Sequence, residues 1–243
     1  MARDFDEGTS QYLSNANAVV GAAPLTVCAW FNVSSTDVDR RIFSIDDDGN
    51  PGEQFSLRLH STATLRCQAW DGAADCQAQA TLGYSANTWQ HGLGTITRSG
   101  GDYTCNIWLD GANFGTYTNT LDVLAVTDTH IGATRPSVAG QYMDGYLAEV
   151  AVWNVELTAA DAAILATGLS PLTVRPQSLV AYWPLIGRTS PEIDIVGGYD
   201  MTLNAAPTIA AHPPVMYPAS PMMVHAPSAF IPVTGPFPTF FRV

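Results

Sequence analysis

Residues 143–165 read MDGYLAEVAVWNVELTAADAAIL, and this stretch joins two kinds of periodicity. Its first part, YLAEVAVWN, has the period of two and the apolar and aromatic content of a β-strand. The second part has Thr158 as a helix N-cap, Asp161 three residues later and an Ala-rich body, and Gly168, three residues beyond the stretch, is a stop signal. The stretch therefore predicts a strand followed by one short helix of about ten residues.

The same period-two pattern runs along most of the chain before this point. Short runs rich in Val, Ile, Phe, Tyr, Trp and Thr are separated by Gly, Asn, Asp or Ser, and examples are LTVCAWFNV, QFSLRLH, TLRCQAW and YTCNIWLDG. About a dozen strands at spacings near ten residues are typical of an antiparallel sandwich. We therefore predict an all-β fold of two antiparallel sheets with one short helix.

The six tryptophans differ in where the pattern puts them. Five of them stand in strand-like runs, and the simplest interpretation is that they belong to the core of the sandwich: Trp30, Trp89, Trp108, Trp153 and Trp183. Trp70 instead precedes Asp71-Gly72, a favoured turn pair. We predict that Trp70 is exposed and is the candidate for stacking on a ligand.

The order of these segments resembles that of the laminin-G/pentraxin-like proteins, which are concanavalin A-like lectin/glucanase jelly rolls. The segments that carry the resemblance are FDEGTSQYLS, PLTVCAWFN, NTWQHGLGTI, YTCNIWLDGANFG, DTHIGA and the stretch quoted first. The similarity as a whole runs in order from about Phe5 to Leu185. The resemblance implies a jelly-roll sandwich with the helix after the penultimate strands. The chain departs from the family at Ala148, where an Asp usually precedes Glu149. That Asp often lies near a calcium site, so the departure weakens the expectation of inherited metal binding.

Composition excludes some partners. The formal net charge is −12, the pI is about 4.5, and all ten basic residues are Arg. A chain this acidic lacks the basic patch that nucleic acids need, and anionic membranes would repel it. The sequence has no run of eighteen apolar residues, so it predicts no membrane span. The first residues do not resemble a secretion signal. We expect a protein that is made in a cytoplasm without a secretion signal and ends up in a virion; the alternative location is extracellular or a cell surface.

Two of the four cysteines are spaced so that a disulfide between them is possible. Cys67 and Cys76 are symmetric about Asp71-Gly72, so a two-residue hairpin would place them directly opposite each other. On a non-hydrogen-bonded pair the Cα atoms would approach to about 4.5 Å, which is within disulfide reach. The alternative is two reduced thiols, as is usual in a cytoplasmic protein.

Two acidic clusters are candidate calcium sites. Asp46, Asp48 and Asn50 alternate in SIDDDGNPGE, although Pro51 stands where a helix–loop–helix calcium loop needs Gly. The simpler interpretation of this segment is an acidic turn between strands. The second cluster comprises Asp4, Asp6 and Asp144, because the first and last strands are neighbours in laminin-G-like sandwiches.

The sequence offers no catalytic constellation. Some jelly rolls of this class hydrolyse glycosides with two carboxylates on one strand, and retaining chemistry needs them about 5–5.5 Å apart. In PEIDIVGG, Glu192 and Asp194 have the right spacing, but Gly197 and Gly198 occupy the place of the second catalytic carboxylate. We therefore predict a protein that is not an enzyme.

The last part of the chain differs from the rest. Residues 205–243 hold nine of the sixteen prolines and no carboxylate, so we predict a sandwich over 1–204 followed by an extended apolar arm over 205–243. The arm residues that we expect to contact a partner are Met222, Met223, Phe230, Ile231, Phe237, Phe240 and Phe241.

Two functions are compatible with these features. A non-catalytic sandwich with an apolar arm is similar to the decoration or fibre-type proteins of bacteriophage virions, where the arm would bind other subunits of a symmetric capsid or tail. The alternative is a lectin-like module of a phage or a bacterial surface that binds a glycan.

Overall fold

The computed structural model describes residues 1–47, 52–134, 141–187 and 190–218. Over these residues the chain forms fifteen strands and one α-helix. In chain order the strands are β1 Ala2–Phe5, β2 Tyr12–Asn15, β3 Leu25–Val33, β4 Arg40–Asp46, β5 Glu53–His60, β6 Thr64–Asp71, β7 Asp75–Gln79, β8 Gln90–Ser99, β9 Asp102–Leu109, β10 Asn113–Thr120, β11 Asp128–Ile131, β12 Gly145–Trp153, β13 Leu179–Trp183, β14 Thr202–Asn204 and β15 Thr208–Ala210. The helix α1, Ala159–Ala166, lies between β12 and β13.

The strands form two antiparallel sheets. The eight-stranded sheet has the order β10-β9-β8-β3-β12-β1-β15, with β13 paired to β12. The seven-stranded sheet has the order β14-β2-β11-β4-β5-β6-β7. The inner faces of both sheets contribute to one hydrophobic core, in which Phe31, Phe43, Phe55 and Trp183 are fully buried. The predicted all-β sandwich is confirmed.

The helix α1 also forms as predicted. Thr158 is its N-cap, and Thr158 and Asp161 make a reciprocal capping box. The buried residues of α1, Ala162 and Leu165, pack with Trp108 and Trp153 in a second hydrophobic cluster on the outer face of the eight-stranded sheet. No helix in the described part of the chain has the length and hydropathy to cross a membrane.

The register of the hairpin between β6 and β7 separates Cys67 from Cys76. The side chain of Asp71 accepts hydrogen bonds from the backbone N–H groups of Ala73 (2.9 Å) and Ala74 (2.7 Å). The two central residues of the turn are therefore Gly72 and Ala73, not Asp71 and Gly72. This change shifts the register by two residues. Cys67 therefore lies opposite Ala78, and the position opposite Ala69 is taken by Cys76. All four cysteines are buried free thiols. Of the two alternatives for Cys67 and Cys76, the structure has the reduced thiols and not the disulfide.

Residues 205–218, the first part of the predicted arm, pack against the sandwich. β15 pairs with β1, and the carbonyl of Pro207 accepts a hydrogen bond of 2.9 Å from Arg3. Met216 then forms a parallel bridge with Leu169, just after α1. We call residues 205–218 the strap. The packed chain thus continues beyond the predicted boundary at residue 204, and the arm residues named above, Met222 to Phe241, lie outside the described residues.

The strap supplies partners for a buried carboxylate. Glu149 sits at a bulge of β12 with a φ of 56° and is 1% exposed. Its carboxylate accepts hydrogen bonds from the hydroxyls of Tyr182 and, at 2.6 Å, Tyr217. The Nε2 atom of His212 lies 3.0 Å from the same carboxylate. Two of these three partners come from the strap.

We predict that truncation within and after the strap will have different effects. A chain that ends at Asn204 loses β15, His212 and Tyr217, and it leaves Glu149 buried with fewer partners. Leaving a buried charged group unsatisfied costs at least about 2 kcal/mol, and thermal unfolding should shift down by several degrees. A chain that ends at Pro218 keeps the strap and is the control, so it should melt several degrees above the chain that ends at Asn204. Equal melting temperatures for both truncated chains would show that the strap does not stabilise the sandwich.

Candidate functional site: the polar face of the seven-stranded sheet

The two sheets have different outer faces. On the eight-stranded sheet, α1 and the segment after it cover apolar side chains. On the seven-stranded sheet, the core residues of β5 and β6, such as Leu57 and Cys67, alternate with polar residues that point away from the core. We call the outward residues of β4 to β7 the polar face: Arg41, Ser44, Asp46, Gln54, Ser56, Arg58, Arg66, Gln68, Trp70, Asp75 and Gln77.

Strand register arranges the polar face in rows. Arg41 lies opposite Arg58, and Arg58 lies opposite Arg66, so three arginines are aligned on three neighbouring strands. We call these three residues the arginine row. The next row holds Ser44, Ser56, Gln68 and Gln77, and the third holds Asp46, Gln54, Trp70 and Asp75.

Neutral side chains accept hydrogen bonds from Arg58 of β5 and Arg66 of β6. Arg58 donates to the amide oxygen of Gln68 at 3.2 Å. Arg66 donates to the amide oxygen of Gln77 at 2.5 Å and to the Thr64 hydroxyl at 3.2 Å. Within the described residues, neither arginine has a carboxylate oxygen at salt-bridge distance, whereas Arg3, Arg40 and Arg175 each do.

The positive charges of this region influence each other. Burial lowers the pKa of Arg58, and the nearby charge of Arg66 adds to the effect, although Asp39 opposes it. Burial also lowers the pKa of His60, and Arg66, Arg58 and Arg41 lower it further. The pKa shifts have the directions expected for crowded positive charges.

Two buried polar atoms of the polar face lack partners. Among the described residues, neither the hydroxyl of Ser56 nor the Nε–H of Arg58 has a hydrogen-bond partner. Unsatisfied buried polar atoms are few in native proteins, and a bound ligand or ordered water is a common explanation. The polar face thus has unused hydrogen-bonding capacity beside an excess of positive charge.

The stacking candidate lies on this face. Trp70 of β6 is half-buried and stands four residues from Arg66 on the same side of the strand. Of the other five tryptophans, Trp108, Trp153 and Trp183 are buried as predicted, while Trp30 and Trp89 are half-buried. The arginine row was not predicted from the sequence, because its members align only once the strands are paired. The alternation in QFSLRLH and TLRCQAW, read as a hairpin around residues 61–63, would have revealed Arg58 opposite Arg66.

The first calcium candidate is only partly described. Asp48 and Asn50 lie outside the described residues. Asp46 is buried at the edge of the polar face, where its carboxylate accepts hydrogen bonds from Ser44 (2.8 Å) and Thr134 (3.2 Å). The Nδ1 atom of His130 lies 3.0 Å from its other oxygen. Protein groups therefore already contact both oxygens of Asp46.

The structure does not assemble the second calcium candidate as predicted. Asp4 and Asp144 line a pocket of about 160 Å³ together with Asn32, Ser34 and Asn87. Burial raises the pKa of Asp4, and the charges of Asp144 and Asp6 raise it further. Asp6 itself caps a 3₁₀ turn by accepting from the N–H of Gly8 at 2.8 Å. In the described part of the chain, no group of three His, Cys, Asp or Glu residues could hold a metal ion.

The two acidic residues considered for catalysis have structural partners. Glu192 is 1% exposed and pairs with Arg3 at 2.7 Å. Asp194 accepts hydrogen bonds from four backbone N–H groups, those of Tyr182, Val196, Gly197 and Tyr199. Both carboxylates stabilise the connection between β13 and β14.

Comparisons with known structures agree with the fold. A heptameric SAP-like pentraxin from Limulus polyphemus is 17% identical with a TM-score of 0.53, and the match covers 67% of this chain and 78% of that chain. A putative carbohydrate binding protein from Bacteroides ovatus is 20% identical with a TM-score of 0.63, and the match covers 88% of this chain and 61% of that chain. The CBM40 of a Ruminococcus gnavus IT-sialidase, bound to α2,3-sialyllactose, is 11% identical with a TM-score of 0.52, and the match covers 65% of this chain and 94% of that chain.

Sequence comparison identifies the family. Among curated protein sequences, none matches this chain significantly. A family model, Laminin_G_3, described as the concanavalin A-like lectin/glucanases superfamily, matches residues 7–163, which is more than half of the chain. The chain therefore belongs to the concanavalin A-like lectin/glucanases superfamily.

Proposed function

We propose that this protein is a non-catalytic glycan-binding module whose site is the polar face. The observation that carries the proposal is the contrast between the two outer sheet faces. One is covered by α1 and apolar residues, and the other has a half-buried patch of amides, arginines, a carboxylate and a tryptophan beside buried polar groups. The half-buried residues are Gln54, Arg58, Arg66, Trp70, Asp75 and Gln77. Such groups match a saccharide, because hydroxyls need hydrogen-bonding partners and the apolar side of a sugar ring packs on an aromatic side chain. The carbohydrate-binding structures with the same fold support this proposal.

The absence of catalysis is part of the proposal. Glu192 and Asp194, the carboxylate pair that the sequence suggested for catalysis, have structural partners as described above. On the polar face, the Oδ2 atom of Asp75 accepts from the amides of Gln68 and Gln77, each at 3.4 Å. Glycoside hydrolysis needs an acid and a base or nucleophile facing each other across a cleft, and these carboxylates are not placed in that way.

A second candidate function concerns residues 219–243, the part of the predicted arm that follows the strap. We propose that residues 219–243 attach the protein to other subunits of a symmetric assembly, of the kind found in a virion. The support is the composition of this segment, which has no carboxylate and contains four Phe and two Met. Burying one Phe is worth about 1.5–3 kcal/mol, so the three residues Phe237, Phe240 and Phe241 would contribute substantially to association. This function is compatible with glycan binding by the polar face.

Glycan binding is tested by screening an array and then measuring affinities by calorimetry. We expect Trp70→Ala to weaken binding of the best array ligand by about tenfold, which corresponds to about 1.4 kcal/mol. Phe114→Ala is the matched control, because Phe114 is an exposed aromatic residue of β10 whose ring contacts Trp108 in the cluster on the opposite sheet. If Trp70→Ala binds like the wild type and Phe114→Ala does not, the site lies elsewhere.

Attachment by the arm is tested first on the chain alone. Sedimentation should show an oligomer for the full chain and a monomer both for a chain that ends at Pro218 and for the triple variant Phe237→Ala, Phe240→Ala and Phe241→Ala. The reason is the loss of the apolar area that the arm would bury. Identical sedimentation of all three proteins would argue against the arm as the contact between copies of this chain.

A further inference from the structure

The arginine row is unfavourable for the protein by itself. Like charges directly opposite each other on neighbouring strands destabilise a sheet, and here the repulsion extends over Arg41, Arg58 and Arg66. The chain contains 22 Asp and Glu residues against ten Arg, so acidic residues are abundant. Even so, Arg58 and Arg66 have no salt bridge with any carboxylate of the described residues.

The nearest carboxylates have other partners. Asp39 accepts the backbone N–H of Ser61 at 2.8 Å and lies 3.8 Å from His60. Asp75 accepts the amides of Gln68 and Gln77. These two carboxylates reduce the positive potential of the row, but neither makes a salt bridge with Arg58 or Arg66.

Neutral partners orient the guanidinium groups without cancelling their charge. Gln68 holds one Nη atom of Arg58, and Gln77 and Thr64 hold Arg66. The buried Nε–H of Arg58 has no partner among the described residues. Guanidinium groups that are held in place and retain free N–H donors are suited to a carboxylate or sulfate, which accepts two parallel hydrogen bonds.

We propose that the arginine row binds the anionic group of an acidic saccharide, a carboxylate or a sulfate, while another part of the same saccharide reaches Trp70. This inference rests on the proposed glycan-binding function and specifies its ligand class. Arg66 and Trp70 are four residues apart on one face of β6, which is about 13 Å along a strand. That distance favours an oligosaccharide over a single sugar unit.

The test uses acidic and neutral probes in calorimetric titrations. The acidic probes are hyaluronan hexasaccharide, which carries carboxylates, chondroitin sulfate hexasaccharide, which also carries sulfates, and 3′-sialyllactose. The neutral counterparts are chitohexaose and lactose. We expect at least one acidic probe to bind more tightly than its neutral counterpart, and we expect added salt to weaken that binding. Tighter binding of hyaluronan or sialyllactose would indicate a carboxylate, and binding of chondroitin sulfate alone would indicate a sulfate.

The variants Arg58→Gln and Arg66→Gln should each weaken binding of the acidic probe about tenfold or more. Arg175→Gln is the control, because Arg175 pairs with Asp161 beside α1, away from the polar face. The melting temperatures give a second readout. If the row serves ligand binding, removing one arginine relieves repulsion, so the variants should melt at or above the wild-type temperature.

Three results would overturn the inference, each in a different way. If a neutral probe binds as tightly as the acidic ones, Trp70→Ala weakens it and the arginine variants do not, the ligand is a neutral glycan and the glycan-binding function stands. If no probe and no array glycan binds, both the function and the inference fail. Unchanged binding together with lower melting temperatures of the arginine variants would show that the row has a structural role.

Discussion

The structure depends on the burial of both faces of β12. Leu147, Val150 and Val152 point into the core between the sheets, whereas Ala151 and Trp153 point to the opposite side, and all five are fully buried. A strand that is apolar on both faces needs a cover on each of them. The chain provides the outer cover directly after β12, because the capped helix α1 folds back over Ala151 and Trp153.

This cover determines which surface is available to a ligand. Because α1 and the following segment cover much of the outer face of the eight-stranded sheet, the half-buried polar patch of β5 to β7 lies on the other side of the sandwich. The strap adds to the same side as the cover, since it joins the chain after α1 through Met216 and reaches Glu149 through His212 and Tyr217. The apolar cover thus lies on one sheet and the polar face on the other. Charged groups on the polar face therefore do not interrupt the hydrophobic contacts between the sheets.

Charge distribution on the polar face is unusual for an acidic protein. Of the seven arginines in the described residues, three are aligned on three neighbouring strands, while the overall net charge is −12. Arg58 and Arg66 lie opposite each other with no carboxylate of the described residues at salt-bridge distance, and such local conflicts are typical of functional sites. Arg58 and Arg66 therefore point to a ligand that supplies negative charge.

Local signals predicted much of this fold and little of its site. The capping residues Thr158 and Asp161 predicted α1, and the period-two runs predicted the sandwich, because both depend on neighbours in sequence. The hairpin register was wrong because the Asp71 side chain, not only the Asp-Gly pair, determines where the turn begins. The partners of Glu149 could not be read from local pattern, because His212 and Tyr217 are distant from it in sequence. The arginine row could be read only by pairing the consecutive strands β4, β5 and β6 in register.

The location of the site can be measured most directly by amide chemical shifts. A ¹⁵N-labelled protein is titrated with the glycan that binds best on the array, and shift changes are followed for every assigned backbone amide. We predict that the largest changes cluster in β5, β6 and β7, around Arg58, Arg66 and Trp70. Changes confined to the pocket at Asp4 and Asp144, or to the strap around His212, would contradict the assignment of the polar face as the glycan site.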